Sequence, residues 1–135
     1  MALYNRYTVN AGRLCPTGWH VPSNDEWTTL TTYLGGLEIA GSKLKETGTT
    51  HWVIPNTGAT NESGFTALPS GGRGFNPNLG YVTYGSIGEG STFWSSSVDV
   101  DGKVFFRSVV NDLNIVFSNT CNKNNGLSVR CVRDF

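Results

Sequence analysis

The sequence predicts an α+β domain, with two helices early and a twisted antiparallel sheet late. Three observations carry this expectation. Ser23 and Glu26 are spaced as a capping box at the head of an apolar stripe formed by Trp27, Leu30 and Leu34. The second half alternates apolar and short polar residues in runs of strand length, and Asp101-Gly102 punctuates it with a hairpin signal. Neither βαβ alternation nor an internal repeat interrupts this order.

Taken along the chain, Leu3 to Val9 is rich in aromatic and β-branched residues and reads as an opening strand closed by Asn10-Ala11-Gly12. Cys15-Pro16-Thr17-Gly18-Trp19 follows as a turn. The first helix then starts at Ser23, with Pro22 placed to pack on Trp27 as a hydrophobic staple. Gly35-Gly36 ends it, because glycine takes the left-handed conformation after a helix without a side-chain clash. A second, shorter helix is expected over Leu37 to Lys45, with Glu38 near its start and Lys43 and Lys45 near its end, as the macrodipole favours. Gly41 weakens it.

Glu46 to Gly80 is dominated by Gly, Thr, Asn, Ser and Pro, and reads as a long structured loop pinned by isolated apolar pegs: Trp52, Val53-Ile54, Phe65, Leu68 and Phe75. Strands are expected at Tyr81–Tyr84 and Thr92–Ser97. The Asp101-Gly102 pair should turn Val98-Asp99-Val100 into Lys103–Phe106 through a type I′ turn. Ile115–Phe117 and Leu127–Val132 complete the antiparallel meander, the last with Leu127, Val129 and Cys131 on alternate positions.

A chain of 135 residues fits one domain, here residues 1–135. Its patterned start directly after Met1-Ala2 suggests a domain excised from a larger exported protein. Ten basic and ten acidic residues cancel and no Lys/Arg cluster occurs, which argues against nucleic acid or an anionic membrane as partner. Nor is there an apolar run of the roughly 20 residues needed for membrane insertion, or an export signal within this chain. Charged residues make up 15% of the chain, against roughly 25% in ordinary soluble domains. Ser, Thr, Asn and Gly must therefore cover much of the surface, as suits an extracellular display protein.

Of the three cysteines, Cys15 and Cys131 stand where a bridge would tie the two ends of the domain together, leaving Cys121 as the odd thiol. Closing so long a loop is worth about 4 to 5 kcal/mol in the chain-entropy model. Two buried free thiols are the alternative.

Several motifs together resemble a known family. They are Cys15-Pro16-Thr17-Gly18-Trp19-His20-Val21-Pro22-Ser23 leading into Glu26-Trp27, then Ser63-Gly64-Phe65-Thr66-Ala67-Leu68-Pro69-Ser70-Gly71-Gly72-Arg73, Trp94-Ser95-Ser96, and Ser128-Val129-Arg130-Cys131-Val132-Arg133-Asp134. Over nearly its whole length the chain resembles the Fibrobacter succinogenes major paralogous domain. That resemblance implies a C-type lectin-like fold, related to formylglycine-generating enzymes and to the variable proteins of diversity-generating retroelements, in a module of bacterial surface proteins. In retroelement-diversified relatives the variable residues lie near the C-terminus, at adenine-rich template codons that read as Asn. Such codons do not yield Lys, Glu, Gln, Met or Trp, and none of these occurs from Val104 to Asn122.

The expected function is a non-catalytic ligand-binding or adhesion module at the cell surface, without a cofactor, facing a protein or glycan on another cell or surface. Its candidate ligand-binding residues are Ser108, Val110, Asn111, Asp112, Asn114, Phe117, Ser118, Asn119, Thr120 and Asn122, an Asn- and Ser-rich run that suits adaptable hydrogen bonding. An ordinary solvated hairpin would look the same. A calcium-dependent lectin would draw oxygen ligands from Asp99, Asp101, Asn111 and Asp112, or from Asn56, Asn61 and Glu62, and a structural spacer is a third reading. His20 and His51, each beside a tryptophan, read as packing residues. Trp19, Trp27, Trp52 and Trp94 read as core, with Trp52 or Trp94 able to line a cleft. Gly71-Gly72-Arg73-Gly74 lacks the Lys-Ser/Thr ending of a phosphate loop. No activated nucleophile is recognisable, and Cys121 has no cysteine partner of the kind used in formylglycine chemistry.

Overall fold

The computed structural model describes residues 2–76 and 81–135. The side chain of Phe75, one of the expected pegs, and residues 77–80 lie outside the described residues.

The opening segment is helical rather than extended. In α1, Arg6–Asn10, the Asn5 side chain caps the first turn by accepting from the Thr8 backbone N–H at 3.0 Å. This local bond outcompetes the strand propensity of Tyr7, Thr8 and Val9, and only Tyr4 finds a strand partner, in Leu127. Strand β1, Trp19–His20, follows, and α2, Asn24–Tyr33, carries the complete Ser23–Glu26 capping box. Gly35 and Gly36 end α2 at φ +106° and +102°. Helix α3, Leu37–Leu44, then stops one residue before the expected boundary, with Lys45 as its cap.

Inside the expected long loop lies an unforeseen strand, β2, Ser70–Asn76, which pairs antiparallel with β3, Tyr81–Ile87. Strands β4 (Gly90–Val98), β5 (Val104–Val110) and β6 (Phe117–Cys121) complete a five-stranded sheet of order β3-β2-β4-β5-β6. The sheet is mixed rather than an antiparallel meander, because β2 lies between β3 and β4 and meets β4 in parallel. Ile115 and Val116 precede the last strand of this sheet. The run from Leu127 to Val132 is not one strand. Leu127 and Ser128 make single bridges to Tyr4 and Phe93, and only β7, Val132–Arg133, forms a ladder, with β1. Three different partners in seven residues break the expected alternation, and Ser128 is as buried as Leu127.

The β4–β5 hairpin forms, but its turn is not type I′. Gly102 has φ +75°, whereas Asp101 does not have a positive φ. Instead Asp99 Oδ1 accepts from the backbone N–H of Asp101 and Lys103, each at 2.9 Å, and organises a longer loop.

Two apolar clusters cover opposite faces of the sheet. Trp27, Leu34, Ala40, Leu44, Trp52 and Ala67 pack with Phe93, Val109 and Val116 beneath the helices. Trp94, Val104 and Leu127 pack with Val9 and Val21 on the other face. Phe65 and Leu30 border the first cluster, where Phe65 meets Phe93 edge-on at 5.4 Å. Trp52 is a true peg, its Nε1–H donating to Ala67 O at 3.0 Å. Val53 and Ile54 are not pegs: they are 48% and 76% exposed, because main-chain bonds such as Val53 N–H to Gly88 O hold this segment from behind. Trp19 is also outside the core at 45% exposed, lying on the two-residue ladder with β7.

Cys15 and Cys131 form a disulfide spanning 116 residues, and Cys121 is the free thiol. Among the described residues no helix is long and apolar enough to cross a membrane.

Candidate functional site

The register decides which side chains share a face. Thr92 pairs with Ser108, and Ser108 with Phe117; one step along, Trp94 pairs with Phe106, and Phe106 with Asn119. At the Trp94 end this face is closed by the second apolar cluster. At the other end it opens into a cleft of about 740 Å³ whose floor includes Gly72, Gly74, Gly85, Thr92 and Ser108. Val53, Ile54 and Val110 form its apolar rim, and Arg73, Glu89 and Asp112 its charged one. A second hollow of about 420 Å³ continues from it, sharing Thr92, Ser108, Asn125 and Leu127 and ending at Phe106, Phe117, Asn119 and Cys121.

The loop from Val110 to Val116, which forms one wall, is held mainly through its backbone. Lys45, fully buried, donates its Nζ hydrogens to Thr57 O at 2.9 Å, Val110 O at 3.0 Å and Leu113 O at 3.1 Å. Burial pushes its ammonium pKa down, opposed by the nearby charge of Asp112. Gly41 lets α3 touch the same loop, since a Cβ there would collide with the carbonyl oxygens of Asn114 and Ile115. Ser42 N–H donates to Asn114 O at 3.2 Å and Val116 N–H to Leu37 O at 2.8 Å. Asn111 braces the rim with its backbone, bonded to Thr57 and Glu89, and with its amide, which donates to Val53 O and Ile54 O at 3.3 and 3.4 Å.

The ten candidate residues therefore divide. Ser108, Val110, Asn111 and Asp112 line the larger hollow, and Phe117 and Asn119 the smaller, with Ser108 in both; Ser118 borders the smaller hollow but pairs with Arg107, on the same parity as Thr120. Asn114 lies apart, its side chain against Gly58. Thr120 faces away with Phe105 on the opposite parity of the ladder, and Asn122 organises the next turn by accepting from Asn124 N–H at 2.9 Å. Sequence reasoning missed Thr92, Asn125, the glycine floor and Lys45. The single available signal was that Gly71-Gly72-Arg73-Gly74 had no other explanation.

The calcium candidates do not assemble. Asp99 and Asp101 sit at one end of β5 and Asn111 and Asp112 at the other, about 20 Å apart at some 3.3 Å per residue. Asn61 is occupied with Thr66, and Asn56 donates to Glu46 O and Gly48 O. Among the described residues, no group of three or more His, Cys, Asp and Glu is placed to hold a metal.

Each histidine is hydrogen-bonded to carboxylate side chains. His20 lies between Asp134, on Nδ1, and Glu26, on Nε2 at 2.8 Å, and these two partners raise its pKa, Asp134 most. Burial pushes the Glu26 carboxyl up, but the Ser23 backbone N–H and His20 together hold it below its usual value. His51 meets Glu46 at 2.9 Å. Trp52 and Trp94 are 1% and 0% exposed and do not line the cleft. Below the floor, Ser70 Oγ lies 3.1 Å from Ser91 Oγ and 2.6 Å from Ser128 Oγ, a buried hydroxyl knot that ties β2, β4 and the C-terminal segment together. Cys121 is half-buried, its thiol pKa raised by burial against a hydrogen bond from Asn125.

No curated protein and no solved structure matches the chain significantly. Residues 1–133 match the Fibrobacter succinogenes major domain, and the chain belongs to that family.

Proposed function

We propose that this chain is a non-catalytic ligand-binding or adhesion module with a C-type lectin-like fold, working outside the cell or on its surface and presenting the cleft beside the Val110–Val116 loop to a protein or glycan. The observation that carries this reading is the combination of an open cleft, lined about equally by polar and apolar surface, with a wall whose backbone is fixed by Lys45, Gly41 and Asn111. Preformed concave sites with a few convergent polar groups are the usual form of a binding site. The Cys15–Cys131 disulfide supports an oxidising compartment. The exposed residues Asp112, Phe117, Ser118 and Asn119 are the positions best suited to retroelement diversification.

Substituting these four broadly, and measuring both thermal stability and binding to glycan and protein arrays, tests the reading. Stability should stay within about 0.5 kcal/mol, as at ordinary surface sites, while the bound partners change. General loss of folding would show the run to be scaffold instead.

A further inference from the structure

The two hollows form one groove that crosses β3, β2, β4, β5 and β6 in their order in the sheet. Four inter-strand spacings make it at least about 19 Å long, since β2 and β4 pair at Gly71 and Ser91 alone and the Gly126–Ser128 segment bridges to both beyond that point. β4 and β5 are flanked by strands on both sides, so their main-chain groups are committed to the sheet and an extended peptide cannot dock there as an added strand. What lies across this face must be read by side chains.

Those side chains are mostly neutral. Thr92 and Ser108, 3.1 Å apart, offer hydroxyls in the middle of the groove, flanked by the amides of Asn125 and Asn119. Asn119 accepts from Thr120 N–H through Oδ1, which leaves its two amide hydrogens as donors. Arg73 is outnumbered at the rim by Glu89 and Asp112, which disfavours an anionic ligand.

Flat surfaces lie at both ends. Phe117 is 41% exposed at one end. At the other, Gly72 and Gly85 are cross-strand partners and so share a face. Neither has a positive φ, and among the described residues a Cβ at Gly85 would meet nothing within 4 Å and one at Gly72 would make only ordinary contacts at 3.6 Å. Neither backbone geometry nor packing requires glycine at these two positions, although glycine weakens a strand. Their bareness leaves the floor of the groove open.

We propose that the groove binds an uncharged oligosaccharide laid across the strands, without calcium, its ring faces resting on Phe117 and the Gly72–Gly85 floor and its hydroxyls meeting Thr92, Ser108, Asn119 and Asn125. Pyranose rings present apolar C–H faces and hydroxyl edges, which the flat surfaces and the amides complement. This inference rests on the binding reading above and names its ligand class.

Calorimetric titration of the full chain with cellohexaose, laminarihexaose and mannohexaose, with hexagalacturonate as the charged control and with or without EDTA, tests it. At least one uncharged hexamer should bind about tenfold or more tightly than its own disaccharide, unaffected by EDTA, and hexagalacturonate should not bind. Phe117→Ala and Gly85→Leu should each weaken binding by about tenfold or more with an unchanged melting temperature. Phe117 is exposed, so its variant decides the matter if Gly85→Leu does not fold. Silence from all three uncharged hexamers, equal binding of the charged one, loss of binding in EDTA, or affinity unchanged in Phe117→Ala overturns the proposal. If sugars fail but a protein from the arrays binds and is lost in Phe117→Ala, the sugar assignment falls while the binding reading stands. If neither sugar nor protein binds, both fall.

Discussion

Gly41→Ala separates local propensity from tertiary packing, because the two give opposite signs. Position 41 is inside α3, and on helix propensity alone alanine should stabilise the protein by about 1 kcal/mol. The added Cβ, however, would collide with the carbonyl oxygens of Asn114 and Ile115, which are backbone atoms and cannot rotate away. Overpacking of this kind costs about 2 kcal/mol. Pushing the loop outward also stretches the 3.2 Å bond from Ser42 N–H to Asn114 O, worth about 1 kcal/mol. The balance is a net loss of about 2 kcal/mol, which for a domain of this size lowers the thermal midpoint by about 7 °C. Gly85→Ala is the matched control: with ordinary φ and open space, it should change stability by between zero and a gain of about 1 kcal/mol. Calorimetric melting of both variants beside the parent is sufficient. A Gly41→Ala protein that melts higher than the parent would refute the claim that α3 touches this loop through Gly41.

Other perturbations read different parts of the fold. Replacing Cys15 and Cys131 by serine opens a 116-residue link and should cost about 5 kcal/mol in urea unfolding; an unchanged midpoint would mean the bridge closes nothing the unfolded chain explores. Lys45→Met leaves three carbonyls without their cationic donor while relieving a buried charge, for a net loss of about 2 kcal/mol. Hydrogen exchange should quicken across Val110–Val116 first, and uniform quickening would argue against a local clamp. His20, with its pKa raised by Asp134 and Glu26, contributes stability that is full below pH 6.5, its unfolded value, and is lost as pH rises through its folded pKa. Glu26, with its pKa lowered, contributes above pH 4.5, its own reference value, and loses that contribution as pH falls through its folded pKa. Thermal midpoints should therefore peak between these limits, and His20→Ala should flatten the alkaline side; an identical profile in the variant would exclude the clasp.

What was legible in the sequence was local. The Ser23–Glu26 box works through bonds between residues three apart, so the start of α2 is written in four letters. The place of the Asp99–Lys103 turn, though not its type, and the two glycines after α2 are equally local. At Asn5 locality worked against the expectation, because one short polar side chain turned a β-prone segment into a helix. Strand β2 was illegible for the opposite reason: Ser70-Gly71-Gly72-Arg73-Gly74 has no strand propensity and is extended by its pairing with β3 and Gly126. The site divides along the same line. Its β5–β6 wall is one contiguous Asn- and Ser-rich run, whereas its floor joins Gly72, Gly85, Thr92 and Asn125, which only the folded sheet brings together. In the sequence Lys45 has the place of a helix-end charge, and nothing local distinguishes that from a buried clamp.

The way the wall is held bears on how much its sequence can change. Lys45 binds the carbonyls of Val110 and Leu113, Ser42 binds that of Asn114, and Val116 is held through its own N–H. Each of these bonds ends on the loop's main chain and would survive replacement of the side chain beside it. Asn111 is the exception, since its amide holds Val53 and Ile54. Asn111→Ala should therefore loosen the rim and cost about 1 kcal/mol, whereas Asp112→Ala and Asn114→Ala should stay within about 0.5 kcal/mol of the parent in urea unfolding. Equal losses at all three positions would mean that the side chains, and not the backbone, hold the wall. A wall anchored by its backbone can exchange most of what it displays without unfolding, which is the physical condition a variable binding surface has to meet.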